Sequence, residues 1–522
     1  MMNRILKEGS FKKNIAAAAF MACMAVVYAF MMYGNKPWYD ELYTYYYFIS
    51  RGPIYAAIHW PVPNNHVGYS VLSACLDVFS DPFIRLRGIS YIAAIANLAL
   101  IYVFCCRFMR REFALSASML YAGAGLVHRL SIQGRGYTLA VTCFLIVLIS
   151  LYDICLTDKA GRGSFIWLAI GLTYGLYIVP SSVYWVIPSC LTAGIYVLIK
   201  KKYDLLKRLI VTGLIAAFVT FCLYALIWLA IGANIVSKDS SFAYFGMHQA
   251  KVILKAPFLS FKTGMEYMLA SPYIQSIDRM DCIKGMPDYL TALFDNFYDG
   301  FGIFILAVTA LIALYAIAGI FLQVKKRDTD LFGCLFICIC LIVVPVMLLI
   351  QSVHPYKRVL GFYMLPIAFG TVYMLDHVVK KVIGENRDRL LTGVCVAFTC
   401  IFTLICGLSI SSDGNRAPLA DKENDLKEVF DLIDVKEIDN IFYTDDYQKY
   451  VLKFYYDASP AESPTLEGAD WVVVSAELTD PGNTEPEWPI LYGYDENLLK
   501  QIYSSFESIA INEEYAVYRR SY

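Results

Sequence analysis

The sequence predicts an all-α polytopic membrane bundle, with about 11 transmembrane helices, interfacial helices in the first outer loop and a small soluble α/β domain at its C-terminal end. Three observations support the architecture. The 522 residues are 58% hydrophobic and only 17% charged, with a mean hydropathy of +0.52; soluble domains are more charged, and long apolar runs mark membrane spans. About eleven such runs are long enough to cross a bilayer. Charge is also divided: from Ser411 onward there are 24 acidic and 9 basic residues, against 21 and 35 before it. The net charge of −1 thus conceals a basic membrane part and an acidic tail, with no global basic signal for nucleic acid.

The first span, 14–33, follows a basic start of Arg4, Lys7, Lys12 and Lys13. A cleaved leader would have a shorter apolar core and a small-residue site after it. A bulky aromatic stretch follows instead, so the span reads as retained. Further spans read at 85–106, 113–131, 137–157, 164–182, 184–200, 209–232, 301–323, 331–351, 359–378 and 390–410. Pro180 and Pro188 interrupt the fifth and sixth of the series. The clusters Lys12–Lys13, Arg107/Arg110/Arg111, Lys159/Arg162, Lys200–Lys202 with Lys207/Arg208, Lys325–Arg327 and Lys380/Lys381 with Arg387/Arg389 all fall on one side. The positive-inside rule makes that side cytoplasmic, with the N-terminus on it. The loops 34–82 and 233–300 then face outward from the cytoplasmic membrane, and so does the tail.

The membrane domain is read as 1–410 and the extracytoplasmic domain as 411–522. DKENDLKEVFDLI reads as a helix, and NIFYT, DWVVVS and YAVYRR as strands. In loop 34–82, YAAIHW and GYSVLSACLDVF are apolar but too short to span, so they read as interfacial helices. Loop 233–300, with amphipathic PFLSFKTGMEYMLA, is long enough to be a lid. Nearly all of the fifteen cysteines lie in apolar runs such as FICIC, where thiols act as small hydrophobes; none follows Cys406, and no paired metal-site spacing occurs.

Candidate chemistry concentrates on the outer side. In NKPWYDELYTYYY, Asp40 and Glu41 sit among aromatic residues at the exit of the first span. A carboxylate there can act as general base toward an acceptor hydroxyl or amine. The plainer reading is an acidic pair at a helix N-terminus. In PNNHVGYSVL, Asn65 and His66 open an interfacial helix, where His66 either meets a phosphate or serves as an ordinary loop histidine. Arg85 and Arg87 follow, one or both snorkelling toward headgroups. In SIQGRGYTL, Gly134 and Gly136 flank Arg135 and let the backbone approach a ligand closely, and Tyr137 opens the next helix. SVHPYKRVL places His354, Lys357 and Arg358 in another outer turn, where arginine suits bidentate contact with phosphate oxygens. The spans carry almost no ionisable residue at mid-depth, Asp153 and Asp376 lying near span ends, which disfavours pumps and ion-coupled transporters. No nucleotide-binding P-loop and no transporter-type internal repeat occurs.

Four of these stretches together resemble the GT-C superfamily of polytopic glycosyltransferases, nearest to bacterial relatives of protein O-mannosyltransferases and lipid A aminoarabinose transferases. WYDELYT resembles the acidic motif of the first outer loop. NNHVGYSVLSACLDVFSDPFIRLRGIS resembles the stretch from a His/Lys-Pro-Pro-Leu-like start to an Arg-Leu-Pro-Ser-like end. SIQGRGYTLAV resembles the Ser-x-Glu-Ala-Arg-Pro-Tyr-Ala-Leu turn, and PYKRVLGFYMLPIAF the Arg-Tyr segment before a late span. The resemblance covers about residues 1–410 and implies transfer of a sugar from a polyprenyl-phosphate donor to an acceptor on the outer face. The acceptor class, whether protein, glycolipid or wall polymer, stays open. By the same resemblance Asp40 is the base with Glu41 beside it. It also places His66 near the lipid phosphate, and Arg135, Tyr137 and Arg358 on the family's Arg, Tyr and late Arg. With the outer-turn residues added, the donor-phosphate set reads as His66, Arg135, Lys357 and Arg358, and the substrate contacts as Asn65, Tyr137 and His354. No cofactor is required, and no metal ligands are assigned. A divalent ion at the acidic pair is compatible, because some superfamily members use one. The chain departs from the pattern at Gln133, where the family has Glu, at Gly136, where it has Pro, and at Val67–Gly68 in place of Pro-Pro. A flippase or transporter of lipid-linked sugars, or an envelope-assembly scaffold without catalysis, are the alternative readings.

Overall fold

The computed structural model describes residues 8–59, 65–157, 161–231, 277–323, 328–383, 420–433, 440–444, 446–461, 464–476, 496–511 and 515–521, with 393, 397 and 401 singly. The chain divides into two compact units: residues 1–32 with 51–413, and residues 33–50 with 414–522.

In chain order the helices begin with α1 (Glu8–Gly34), α2 (Tyr39–Tyr47), α3 (Pro53–Ile58), α4 (Val67–Ala74), α5 (Pro82–Cys105), α6 (Arg111–Ala122) and α7 (Gly125–Ile132). They continue with α8 (Tyr137–Leu156), α9 (Arg162–Ile178), α10 (Val183–Ile199), α11 (Tyr203–Ile231), α12 (Arg279–Phe297), α13 (Gly302–Gln323) and α14 (Asp328–Gln351). A 3-10 turn, Lys357–Tyr363, leads into α15 (Met364–Ile383). The C-terminal elements are α16 (Ala420–Leu432), β1 (Ile441–Tyr443), α17 (Asp446–Tyr456), β2 (Trp471–Ser475), α18 (Glu496–Ser505), β3 (Phe506–Ile511) and β4 (Tyr515–Arg520).

Among the described residues, eight helical segments are long and apolar enough to cross a membrane, which makes the chain multi-pass. They fall at eight of the expected spans. The expected span 113–131 is instead two shorter helices, α6 and α7, separated at Gly123–Ala124. Gly123 and Gly125, poor helix formers, flank the break. The expected span 164–182 is the 17-residue α9, ended before Pro180, whose missing N–H cannot make the next helical hydrogen bond, whereas Pro188, expected to interrupt the following span, is carried inside α10. The expected span 390–410 and most of loop 233–300 lie outside the described residues, including PFLSFKTGMEYMLA; only α12 describes that loop's end.

Ion pairs join helices of the bundle. Arg107 pairs with Asp153 of α8 at 2.7 Å, and Lys200 pairs with Asp328 at 2.7 Å. Asp376, fully buried on α15, takes both Arg110 and Lys380 at 2.6 Å. The two span-end acids are therefore paired with basic residues of the clusters from which an orientation was expected. A buried carboxylate needs such partners, since isolation from water is costly.

The second unit is a four-stranded sheet of order β1-β2-β4-β3. β1 and β2 are parallel and the other pairs antiparallel, with an irregularity between Ser508 and Ala510. Alternation along the strands sorts side chains onto two faces. Tyr443, Val473, Tyr515 and Val517 pack with Leu426 and Phe430 of α16 and Tyr447, Tyr450 and Val451 of α17. Phe442, Val472, Val474, Ala516 and Tyr518 pack with Ile502 of α18. The expected helix and three strands are present; β3 was not read from the sequence. Leu42 of α2, read as part of the first outer loop, belongs to the first of these cores.

Candidate active site

In the first unit, a cluster of basic and aromatic groups forms around the turn between α7 and α8. His66 precedes α4 and is buried. Its Nδ1 accepts a hydrogen bond from the Gly136 backbone N–H at 2.8 Å. A neutral imidazole that accepts at Nδ1 carries its proton on Nε2. That Nε2 lies 3.3 Å from a terminal nitrogen of Arg135, which can only donate. Two donors therefore converge in a buried place. The His66 pKa is held well below the usual histidine range, first by burial and then by the charges of Arg135 and Arg358. The Tyr137 ring meets His66 edge-on at 4.8 Å. The Arg358 guanidinium lies 4.8 Å from the Tyr356 ring centre. A cavity shares Tyr137 and Arg358 with this cluster and is lined further by Thr138, Ser181, Ser182 and Trp185.

Scaffolding residues hold the turn. Ser90 donates to the Gln133 carbonyl at 2.6 Å, and Tyr69 donates to the Leu86 carbonyl at 2.5 Å. Tyr174 of α9 donates to the Gly68 carbonyl at 2.8 Å. Tyr69, Ser90 and Tyr174 carry no sequence signal that separates them from other residues of apolar helices. Among the described residues, none gives the buried Oε1 of Gln133 a hydrogen bond.

Two expectations about this region are corrected. The glycines of the turn were expected to let the backbone approach a ligand closely; what it approaches is protein. A Cβ at Gly134 would lie 2.5 Å from Leu86, and one at Gly136 would lie 2.4 Å from Ile178. Their lack of a side chain serves close packing of the turn on α5 and α9. Snorkelling does not describe Arg87, which is 1% exposed and donates to the Met32 carbonyl at the end of α1 at 2.8 Å. Arg85 instead bonds the Phe79 carbonyl and pairs with Asp77.

Other expected residues sit in other surroundings. The Asn65 amide donates to the carbonyls of Ala56 and His59 and accepts from Ser70, so it ties α3 to α4. His354 stacks on Tyr289 at 4.7 Å, and its Nε2 lies 3.6 Å from the Cys282 sulfur, joining the late turn to α12. Lys357 begins the 3-10 turn next to Arg358 and is half-buried.

In the second unit, Asp40 and Glu41 occupy the first turn of α2. Glu41 is 2% exposed and accepts the Trp38 N–H at 3.0 Å, as a capping residue does. Asp40 is half-buried, and its carbonyl accepts the Thr44 hydroxyl at 2.7 Å. Among the described residues, no group of three or more His, Cys, Asp or Glu is gathered as a cation site.

No protein-family model and no curated protein sequence matches the chain. Solved structures do. ArnT from Cupriavidus metallidurans bound to undecaprenyl phosphate aligns at TM-score 0.57 and 11% identity over 96% of this chain and 97% of that one. The apo form of the same protein aligns at TM-score 0.58 and 10% identity over the same shares. The archaeal oligosaccharyltransferase AglB from Archaeoglobus fulgidus, in complex with an inhibitory peptide and a dolichol-phosphate, aligns at TM-score 0.51 and 10% identity over 90% of this chain and 70% of that one. The membrane bundle with its small C-terminal sheet is therefore a GT-C type fold, the architecture that the four motifs resemble.

Proposed function

We propose that the chain is an inverting glycosyltransferase that moves a sugar from a polyprenyl-phosphate donor to an acceptor on the outer face of the cytoplasmic membrane. The observation that carries this reading is the convergence of His66 Nε2–H and the Arg135 guanidinium. Two donors 3.3 Å apart repel unless an acceptor lies against both, and an anionic oxygen is the acceptor that gains most there. Arg358 adds positive charge to the same place. The two similar structures hold undecaprenyl phosphate and dolichol-phosphate, which agrees with a lipid phosphate as that anion.

The chemistry follows from the groups present. An acceptor hydroxyl or amine attacks the anomeric carbon, and the bond from that carbon to the phosphate oxygen breaks. The lipid phosphate leaves with the electron pair, its developing charge met by His66, Arg135 and Arg358. Such a leaving group needs no strong general acid. Asp40 takes the acceptor's proton. One displacement inverts the anomeric configuration. Glu41 supports this role by closing the first turn of α2, and Gln133 Oε1 is suited to accept a hydroxyl of the ligand.

The test is purified protein in nanodiscs with radiolabelled undecaprenyl-phosphate-linked sugars, wild type beside Asp40→Asn. Loss of transfer in a folded Asp40→Asn protein is expected. Full turnover in that variant removes Asp40 from the reaction, and binding of donor without turnover in both proteins favours a carrier of lipid-linked sugars.

A further inference from the structure

We infer that the C-terminal domain positions the acidic helix for transfer, and that Tyr450 is the residue through which it does so. This rests on Asp40 being the base. The helix α2 has nine residues, too few to persist as an isolated helix in water. Its conformation must come from what it packs against. Its stripe Tyr39, Tyr43 and Tyr46 repeats at helical spacing, so the three rings lie along one face. All three meet the ring of Tyr450. Tyr46 stacks on it at 5.4 Å and 11°, Tyr43 meets it edge-on at 6.2 Å, and Tyr39 lies 6.3 Å away.

The facing helix α17 answers with its own stripe. Tyr447 contacts Tyr39 at 6.2 Å, Phe454 contacts Tyr45 at 5.9 Å, and the Lys453 ammonium lies 5.9 Å from the Tyr46 ring. Leu42 enters the same core, fully buried. Tyr450 itself is 3% exposed and packed with Tyr443, Val473 and Val517 of the sheet. It therefore links a rigid sheet to the turn that carries Asp40. The Asp40 backbone is bound within α2 through Thr44, so a rotation of this short helix moves the carboxylate with it. Tyr450 touches no reacting atom in this scheme and is a positioning residue.

The chemistry sets the signature. A base displaced by an ångström loses rate and leaves donor affinity intact. The residues proposed for the donor phosphate belong to the other unit, so donor KM should not follow Tyr450.

The experiment uses the full chain in nanodiscs, with a panel of radiolabelled undecaprenyl-phosphate-linked hexoses and pentoses, on wild type, Asp40→Asn, Tyr450→Ala, Tyr450→Phe and Tyr46→Ala. Tyr46→Ala removes the same stack from the half-buried side and spares the core of the sheet, should Tyr450→Ala fail to fold. Amide exchange of residues 40–47 is followed in parallel. The expected result is a kcat loss of about 10- to 100-fold in Tyr450→Ala and Tyr46→Ala, with donor KM within about twofold. Amide protection in α2 should fall with kcat, and Tyr450→Phe should restore both. If Asp40→Asn is inactive while both alanine variants keep wild-type kcat, the positioning role is overturned and the base assignment stands. A donor KM that rises in step with the kcat loss also overturns it. Full turnover in Asp40→Asn, or no sugar release by wild type from any member of the panel, overturns the transfer reading and this inference with it.

Discussion

At the scale of single residues, His66 shows how burial and neighbouring charge select a protonation state. Its Nδ1 is committed to a backbone N–H, and Arg135 and Arg358 stand close enough to oppose a positive ring. The folded protein thus holds His66 neutral, with its pKa depressed. A depressed histidine contributes stability that is fully present above the unfolded value of about 6.5 and is lost as pH falls below it, because the unfolded chain then takes up a proton that the folded one refuses. The thermal midpoint of the wild type should therefore drop below pH ~6.5 more steeply than that of His66→Gln. Parallel profiles for the two proteins would show that His66 is not the group responsible. Asp40 and Glu41, adjacent in sequence, have separate environments: one carboxylate closes a helix turn, and the other remains half-buried at its flank. A pair of acidic letters carries no sign of that division, because it arises from which side chain the helix turns back toward Trp38.

At the scale of elements, the turn joining α7 to α8 depends on close approach. Gly136 lies against Ile178 and His66, and Gly134 lies against Leu86. Adding one methyl at Gly136 would force α9 or His66 to move, an overpacking that typically costs about 1–3 kcal/mol. Gly136→Ala should therefore lower the thermal midpoint and weaken binding of undecaprenyl phosphate, read by scanning calorimetry and by lipid titration. An unchanged midpoint would mean that the turn relaxes without cost. These glycines were legible in the sequence as a special turn, and the reason they are needed was not. Sequence spacing shows that a backbone comes close to something, and only the fold shows that Leu86 and Ile178 fill the space. The stripes on α2 and α17 follow the same pattern. Each is readable as an aromatic helix face, but the two lie about 400 positions apart, and no local pattern states that they meet.

At the scale of the whole molecule, the lysine and arginine clusters imply one orientation in the membrane. In a variant without native cysteines, Ser80→Cys should react with a membrane-impermeant maleimide in intact cells, and Lys207→Cys only after lysis. Both positions are exposed. Reaction of Lys207→Cys in intact cells would invert the orientation and move the candidate site to the cytoplasmic face. The same basic clusters also have an internal duty, since Arg107, Arg110, Lys200 and Lys380 neutralise acids at helix ends. The residues from which the orientation is read thus also serve the packing of the helices.

Hydropathy and charge sufficed to predict a helical membrane bundle with an acidic α/β tail, because span length and charge asymmetry are properties of short windows of sequence. The motifs marked His66, Arg135, Tyr137 and Asp40 as candidates, and the fold brings the first three of them together. Which of the candidates lie close together depends on long-range packing. His66 reaches across about 70 positions to Arg135 and Gly136. Asn65 and His354, equally plausible as letters, have their polar atoms turned to Ala56, His59 and Cys282. Arg87 looks like a surface cation in sequence and is a buried clasp on the end of α1. A polar side chain's role depends on whether burial leaves it a partner within the protein, and that depends on residues far away along the chain.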